Sequence, residues 1–174
     1  GMVDEHNHVN FYDGKIRVTG PDGEELVKFE GKDYLAQIAE HVEPYSYLVY
    51  PYLRAVGWKG FVDGKDSGVY RASPLSRLNA ADGMATPLAQ AEYERYFSTL
   101  GGKPVHATLA THWARLVELL YAAERAHELA TDPEITCPDV RAIPRGAINP
   151  RGGVGCVAAP PGPLPHPYFA AARG

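Results

Sequence analysis

Cysteine is scarce in this chain: only Cys137 and Cys156 occur in 174 residues, and they form no CxxC pair. Two thiols make no disulfide framework, so the expected setting is a reduced, cytoplasmic one. Long apolar runs are missing too. None approaches the roughly 20 residues a membrane-spanning helix needs. A surplus of positive charge is also absent. Seventeen Lys and Arg are scattered among 21 Asp and Glu, for a net charge of −4, so a nucleic-acid surface is excluded. No signal peptide is expected before Met2, and Gly1 reads as the scar of a cleaved expression tag. The "GVG" at 153–155 does not sit between a strand and a capped helix, which argues against a dinucleotide-binding loop. There is no internal repeat.

What is present suits one globular domain over 1–174 of α+β class. Hydrophobic residues make up 45% and charged residues 22%. Residues 9–30, "VNFYDGKIRVTGPDGEELVKFE", alternate between apolar and polar around two turn signals, "YDGK" and "GPDG". They predict a three-stranded antiparallel meander, with Ile16 and Val18 on one face and Leu26 and Phe29 from the next strand. Residues 33–43 read as a helix, with Asp33 as its cap and Leu35, Ile38, Ala39 and Val42 at helical spacing. Residues 44–84 read as an irregular connection anchored by aromatics, with one or two short strands. Eleven tyrosines are many for this length, and most precede residue 97.

A helical pair follows over 86–130. Thr86 and Pro87 open the first helix and Gly101–Gly102 close it. The second runs from about His106 to Ala130, and Leu109, Trp113, Leu116, Val117, Leu120 and Glu124 trace its expected buried stripe. Trp113 is the expected largest anchor. Arg115, Glu118, Arg125 and Glu128 fall on other faces. From 132 to 174 proline recurs every few residues, which predicts an irregular Pro/Gly-rich tail.

Few residues suggest chemistry. His6 and His8 alternate as strand ligands would, but no third donor stands nearby. His106 and His112 do not share a helical face. Neither cysteine has a neighbouring cation or helix terminus to lower its pKa. The sequence offers no catalytic residue and no metal ligand set. Two stretches carry more. "SPLSRLN" (73–79) places Pro74, Leu75, Arg77 and Asn79 together, and a guanidinium with an amide suits a structural tie between backbone segments. "GVGCVAAPPGPLPHPY" (153–168) is either an exposed proline-rich end or a glycine-rich site loop that includes His166.

Together with "NFYDGKIRV" and "ATHWARLVELLYAAERA", these stretches resemble, in order, the middle of the large, catalytic subunit of nickel–iron hydrogenases. The similarity is to the soluble branch linked to NAD or a deazaflavin. The family reaction would be H2 ⇌ 2H+ + 2e−, at a nickel–iron centre held by two pairs of cysteines, with electrons leaving through a small iron–sulfur subunit. Neither cysteine pair exists here. The resemblance implies a site-loop pattern to which Gly153, Gly155, Pro160, Gly162 and His166 conform. Ala158 and Pro161 stand where that pattern has Glu and Arg. The expectation is therefore a hydrogenase-like chain that binds no cofactor itself and is inactive alone. Its expected partners are the small subunit or missing large-subunit segments, with self-association to cover exposed surface. A non-catalytic interaction or scaffold module is the alternative, as is a remnant that still folds.

Overall fold

The computed structural model describes residues 1–141 and two strands, 153–159 and 162–168; within those strands it describes the side chains of 154–158. The fold is α+β. Strands β1 (Met2–Val3), β2 (His8–Val9), β3 (Lys15–Thr19), β4 (Glu25–Glu30) and β7 (Gly83–Met84) form a five-stranded sheet in the order β4-β3-β1-β2-β7. The β3–β4 hairpin is antiparallel, with Ile16 opposite Phe29 and Val18 opposite Val27. The sheet is larger than the expected meander. β1 inserts between β2 and β3, and β7 joins parallel to β2. Leu26 lies exposed; Phe29 is the buried residue of that strand, with Val27 packed partly buried against the same cluster.

Residues 33–43 are not one helix. A 3-10 turn at Gly31–Asp33 and a single turn, α1 (Tyr34–Gln37), give way to β5 (Ile38–Val42). β5 pairs antiparallel with β6 (Val49–Leu53), from Ile38 opposite Leu53 to Val42 opposite Val49. The helical spacing lost to pairing. Ile38 and Val42 are β-branched, and the tyrosine-rich partner strand offers them a pleated surface.

Three helices cover the sheet. α2 (Pro74–Ala80) lies within the stretch expected to be an irregular connection. Its N-terminus is a reciprocal cap: the Ser73 hydroxyl accepts from the Ser76 amide at 3.3 Å, and the Ser76 hydroxyl accepts from the Ser73 amide at 2.7 Å. Pro74 then sits at the first helical position, where its missing N–H costs nothing. α3 (Pro87–Thr99) and α4 (Ala110–Thr131) match the expected pair closely, and they pack on each other. α4, however, is turned by about one residue from the expected stripe. Ala110, Ala114, Val117, Glu118 and Tyr121 face inward. Leu109, Leu116 and Leu119 are 80%, 60% and 63% exposed. Two alanines on the inner face let the helix approach its neighbours closely, and hydrophobicity alone does not rank size. Trp113 is only half-buried; its indole meets the edge of Tyr96 at 5.4 Å and donates to Glu92 at 2.8 Å.

The main core gathers Val3, Val9, Leu75, Leu78, Tyr96, Val117 and Tyr121 among its members. A second, smaller cluster holds Ile16, Phe29, Ile38 and Leu53. The expected irregular tail contains regular structure. A 3-10 turn spans Pro133–Thr136, and β8 (Gly153–Ala159) pairs antiparallel with β9 (Gly162–Tyr168). The prolines of β9 fall at 163, 165 and 167. A strand turns successive N–H groups to opposite edges, so alternate prolines strip donors from one edge only. The other edge remains free to pair with β8.

Candidate functional site

The residues singled out in 73–79 come together on α2, and Pro74, Leu75, Arg77 and Asn79 are all buried there. Arg77 meets Glu118 of α4 in a fork: Nε donates to Oε1 at 2.5 Å and Nη2 to Oε2 at 2.7 Å. The two side chains are 2% and 6% exposed. The guanidinium also stands 5.6 Å from the Phe11 ring centroid. Two planar groups matched in this way satisfy each other where water cannot. Asn79 works as a backbone mimic. Its amide donates to the Val105 carbonyl at 2.7 Å and accepts from the Val105 amide at 3.0 Å. The Tyr93 hydroxyl donates to the Ala81 carbonyl at 2.7 Å, just past the end of α2, and burial pushes that phenol's pKa up. The segment is thus tied to α3, α4 and the loop between them.

A second network ties α2's exit to the sheet. Arg17 donates to Glu25 at 2.7 Å, to Asp82 at 2.9 Å and to the Ala80 carbonyl at 3.0 Å. Asn7, whose φ of 62° is in the left-handed region, donates to Asp82 at 2.9 Å. Burial works to raise the Asp82 carboxyl, but the bonds from Arg17 and Asn7 win and hold it below its usual range. Burial lowers the Lys103 ammonium despite Asp82 beside it. A third group is Glu124 of α4. It accepts from the Thr86 hydroxyl at 2.6 Å and from the amides of Leu88 and Ala89 at 3.0 and 2.9 Å. Burial opposes ionisation there too, yet these donors hold the carboxyl below its ordinary value. The carboxylate therefore caps the start of α3 from another helix.

The second stretch forms the β8–β9 hairpin. Its register sets Gly153 opposite Tyr168, Gly155 opposite His166 and Ala159 opposite Gly162; Pro160 lies outside the described residues. A Cβ added at Gly155 would meet nothing within 4 Å, so no steric demand explains that glycine. Two docking points of the hairpin lie among the described residues. The Ala158 amide donates to the Phe11 carbonyl at 2.7 Å. Cys156 lies against Gly31, where a Cβ would come within 2.6 Å of its sulfur. Burial raises the Cys156 thiol, which makes it a poorer nucleophile. Arg77 and Ala158 both line a groove of about 410 Å3, with Phe11, Leu116 and Leu119, so the two stretches do meet.

Asp82 and Arg17 escaped the sequence reading, which also set Glu118 on an outer face, where the structure buries it, and gave Glu124 a place in the stripe but no role. Glu118 lies 41 residues from its partner, and nothing local marks it except its place between Val117 and Leu119. Among the described residues, no group of three or more His, Cys, Asp or Glu is arranged to hold a metal ion. Buried ion pairs and helix caps of this kind position backbone; they present no exposed nucleophile or base.

No family model matches the chain. It is 50% identical over 168 residues to an iron-sulfur subunit of the F420-non-reducing hydrogenase of Archaeoglobus profundus, covering 97% of this chain and 34% of that one. A vhu subunit of the F420-non-reducing hydrogenase of Methanococcus voltae is 42% identical over 170 residues, with 97% and 37% covered. The NAD-reducing hydrogenase HoxS subunit beta of Cupriavidus necator is 36% identical over 173 residues, with 99% and 34% covered. The structure of an NAD+-reducing [NiFe]-hydrogenase in the H2-reduced state contains a chain with a TM-score of 0.85 and 35% identity, covering 98% of this chain and 36% of that one. The chain therefore spans about a third of the length of these relatives.

These matches correct the sequence reading. The expected relative was the nickel-dependent large, catalytic subunit, and the expected function was that subunit's reaction. The relative that is 50% identical over the 168 aligned residues is instead named an iron-sulfur subunit. The likeness to hydrogenases stands; the assignment to the large subunit does not.

Proposed function

We propose that this chain is a non-catalytic docking and scaffolding portion of a hydrogenase complex, related to the subunit that the Archaeoglobus relative's name describes as iron-sulfur. One observation carries the reading: a chain matched along nearly its whole length to hydrogenase subunits keeps a well-tied interior but leaves large apolar side chains uncovered. Leu116 and Leu119 line the outer face of α4, Leu109 stands exposed just before it, and Tyr47 at the β5–β6 turn is 97% exposed. Water penalises such surface by about 25 cal/mol for each Å2. Burial against another polypeptide removes that penalty.

Metal and iron–sulfur groups belong, on this reading, to the complex. The residues present do not fit such a cluster. An iron–sulfur centre takes four thiolates, whereas Cys137 is exposed, Cys156 is packed on Gly31, and no other cysteine exists. The electrons would travel elsewhere, and this chain would hold its neighbours in place. No helix among the described residues is long and apolar enough to cross a membrane. We place the complex in the cytoplasm, consistent with two unpaired thiols.

Light scattering after mixing with purified subunits of an NAD-reducing hydrogenase tests this. A defined complex is expected, lost in the double variant Leu116→Glu/Leu119→Glu, which replaces exposed residues and should leave the fold intact. Purified alone, the chain should show no hydrogen uptake. A persistent 18.9 kDa monomer that binds none of the subunits would overturn the proposal.

A further inference from the structure

Between the β3–β4 hairpin and the β5–β6 hairpin lies a cleft of about 470 Å3. Sites for small organic molecules run to roughly 300–1,000 Å3. Ile16, Val18 and Phe29 line one side, and Ile38, Leu53 and Tyr70 the other. Four of these six, Ile16, Phe29, Ile38 and Leu53, are buried in the smaller core cluster and give the cleft an apolar wall. Protein interiors rarely leave voids much larger than a water molecule. This space is instead a cleft open to solvent, with an apolar wall and a polar rim, the form that small-molecule sites take.

Charge around the cleft is one-sided. Among the described residues, Arg17, Lys65, Arg71 and Arg77 line it against one carboxylate, Asp63. Three of the cations are engaged: Arg17 with Glu25 and Asp82, Lys65 with Asp22, and Arg77 with Glu118. Arg71, exposed at the edge, makes no ion pair with any described residue. It remains free to meet an anion that comes with the occupant.

The geometry points to a binding site in this cleft for a flat, mostly apolar molecule with one anionic group, such as an aromatic carboxylate or sulfonate. The body lies between the two hairpins, with Phe29, Tyr34 and Tyr70 as aromatic neighbours, and the anion meets the Arg71 guanidinium. This site does not depend on the docking role proposed above. It concerns a different part of the molecule from α4's outer face and survives if no hydrogenase subunit binds.

The probe is 8-anilinonaphthalene-1-sulfonate, which joins apolar rings to a sulfonate; its fluorescence is titrated against the full chain. One saturable site per chain is expected. Arg71→Gln should weaken binding about tenfold, the scale of one lost charge-assisted contact. The uncharged N-phenyl-1-naphthylamine should bind more weakly and ignore that change. Val18→Trp, a residue at home in a strand, should fill the cleft and abolish binding, while Tyr47→Ser should leave binding unchanged. Circular dichroism verifies folding. If Val18→Trp does not fold, the exposed Arg71→Gln variant still decides. The proposal is overturned if sulfonate binding is indifferent to Arg71→Gln, if a folded Val18→Trp binds as before, or if Tyr47→Ser removes the signal.

Discussion

The helical half of the molecule and its β5–β6 half solve the same problem with different means. Around α2, α3 and α4, fifteen buried residues close into one cluster, and the polar groups caught inside are matched in pairs. Around β5 and β6 the smaller cluster has four buried members among the described residues, two of them supplied by β3 and β4. There, rings stack near the surface: His41 on Trp58 at 4.1 Å, and Tyr50 edge-on to Phe61 at 4.8 Å. The difference teaches where order comes from. A thick core excludes water and makes every buried polar contact costly to break. A thin layer of aromatics keeps its shape through many weak contacts, none of them decisive.

The sharpest way to break this contrast is to remove one partner of the buried pair. Glu118→Ala should destabilise by about 3–5 kcal/mol, because it strands a guanidinium away from water. The double variant Arg77→Met/Glu118→Leu should recover much of that loss, since like-sized apolar groups need no partner. Urea unfolding of the four-member cycle measures both. A double variant no better than Glu118→Ala alone would show that the pair is not the unit that matters.

Next in size is a test of which aromatic anchors the helices. Tyr96 is fully buried, and Tyr96→Ala should cost about 3–5 kcal/mol, the range for a buried large aromatic. Trp113→Ala should cost roughly 1–2 kcal/mol, because its side chain is only partly buried against the core. Equal losses in unfolding experiments would put the inner face of α4 back on the Leu109–Trp113 stripe.

A smaller effect should appear in acid. Glu124 has a depressed carboxyl pKa in the folded chain. Its contribution is therefore present above the unfolded value of about 4.3 and is lost as pH falls through the folded value. Glu124→Gln should flatten that limb of the stability profile by about 0.5–1 kcal/mol, the lower part of what a helix cap contributes. An unchanged acid limb would mean that solvent screens this carboxylate fully.

The smallest change is expected at Tyr47. Tyr47→Ser should shift stability by no more than about 0.5 kcal/mol, as for surface positions generally. A loss of 2 kcal/mol in unfolding would mean that the β5–β6 half relies on its outer rings, and the contrast between the halves would fail.

The α3 and α4 spans were legible because start and stop signals act locally: Thr86–Pro87 opens α3 and the two glycines close it. The β3–β4 hairpin was legible for the same reason, through its turn residues. The grouping of Pro74, Leu75, Arg77 and Asn79 was legible as a tie, but its helical form was not, because seven residues carry too little periodicity to declare a helix. The strand at β5 was hidden, because Ile38, Ala39 and Val42 fit a helix and a strand equally well until Val49–Leu53 lies alongside. The β9 prolines suggest irregular chain when they are only counted; their alternate spacing is what permits a strand.

By itself, the sequence determined the α+β class, the helical pair, the first hairpin and the likeness to hydrogenase subunits along the whole chain. All of these rest on short-range signals or on order along the chain. Only the tertiary structure decided that Glu118 turns inward to Arg77, that Glu124 caps a different helix, and that α4 buries alanines while its leucines face out. The reason is physical. A charge is buried only when its partner arrives from elsewhere in the fold, and a helix chooses its inner face by how closely its neighbours approach; neither distance is written in the spacing of residues along one segment.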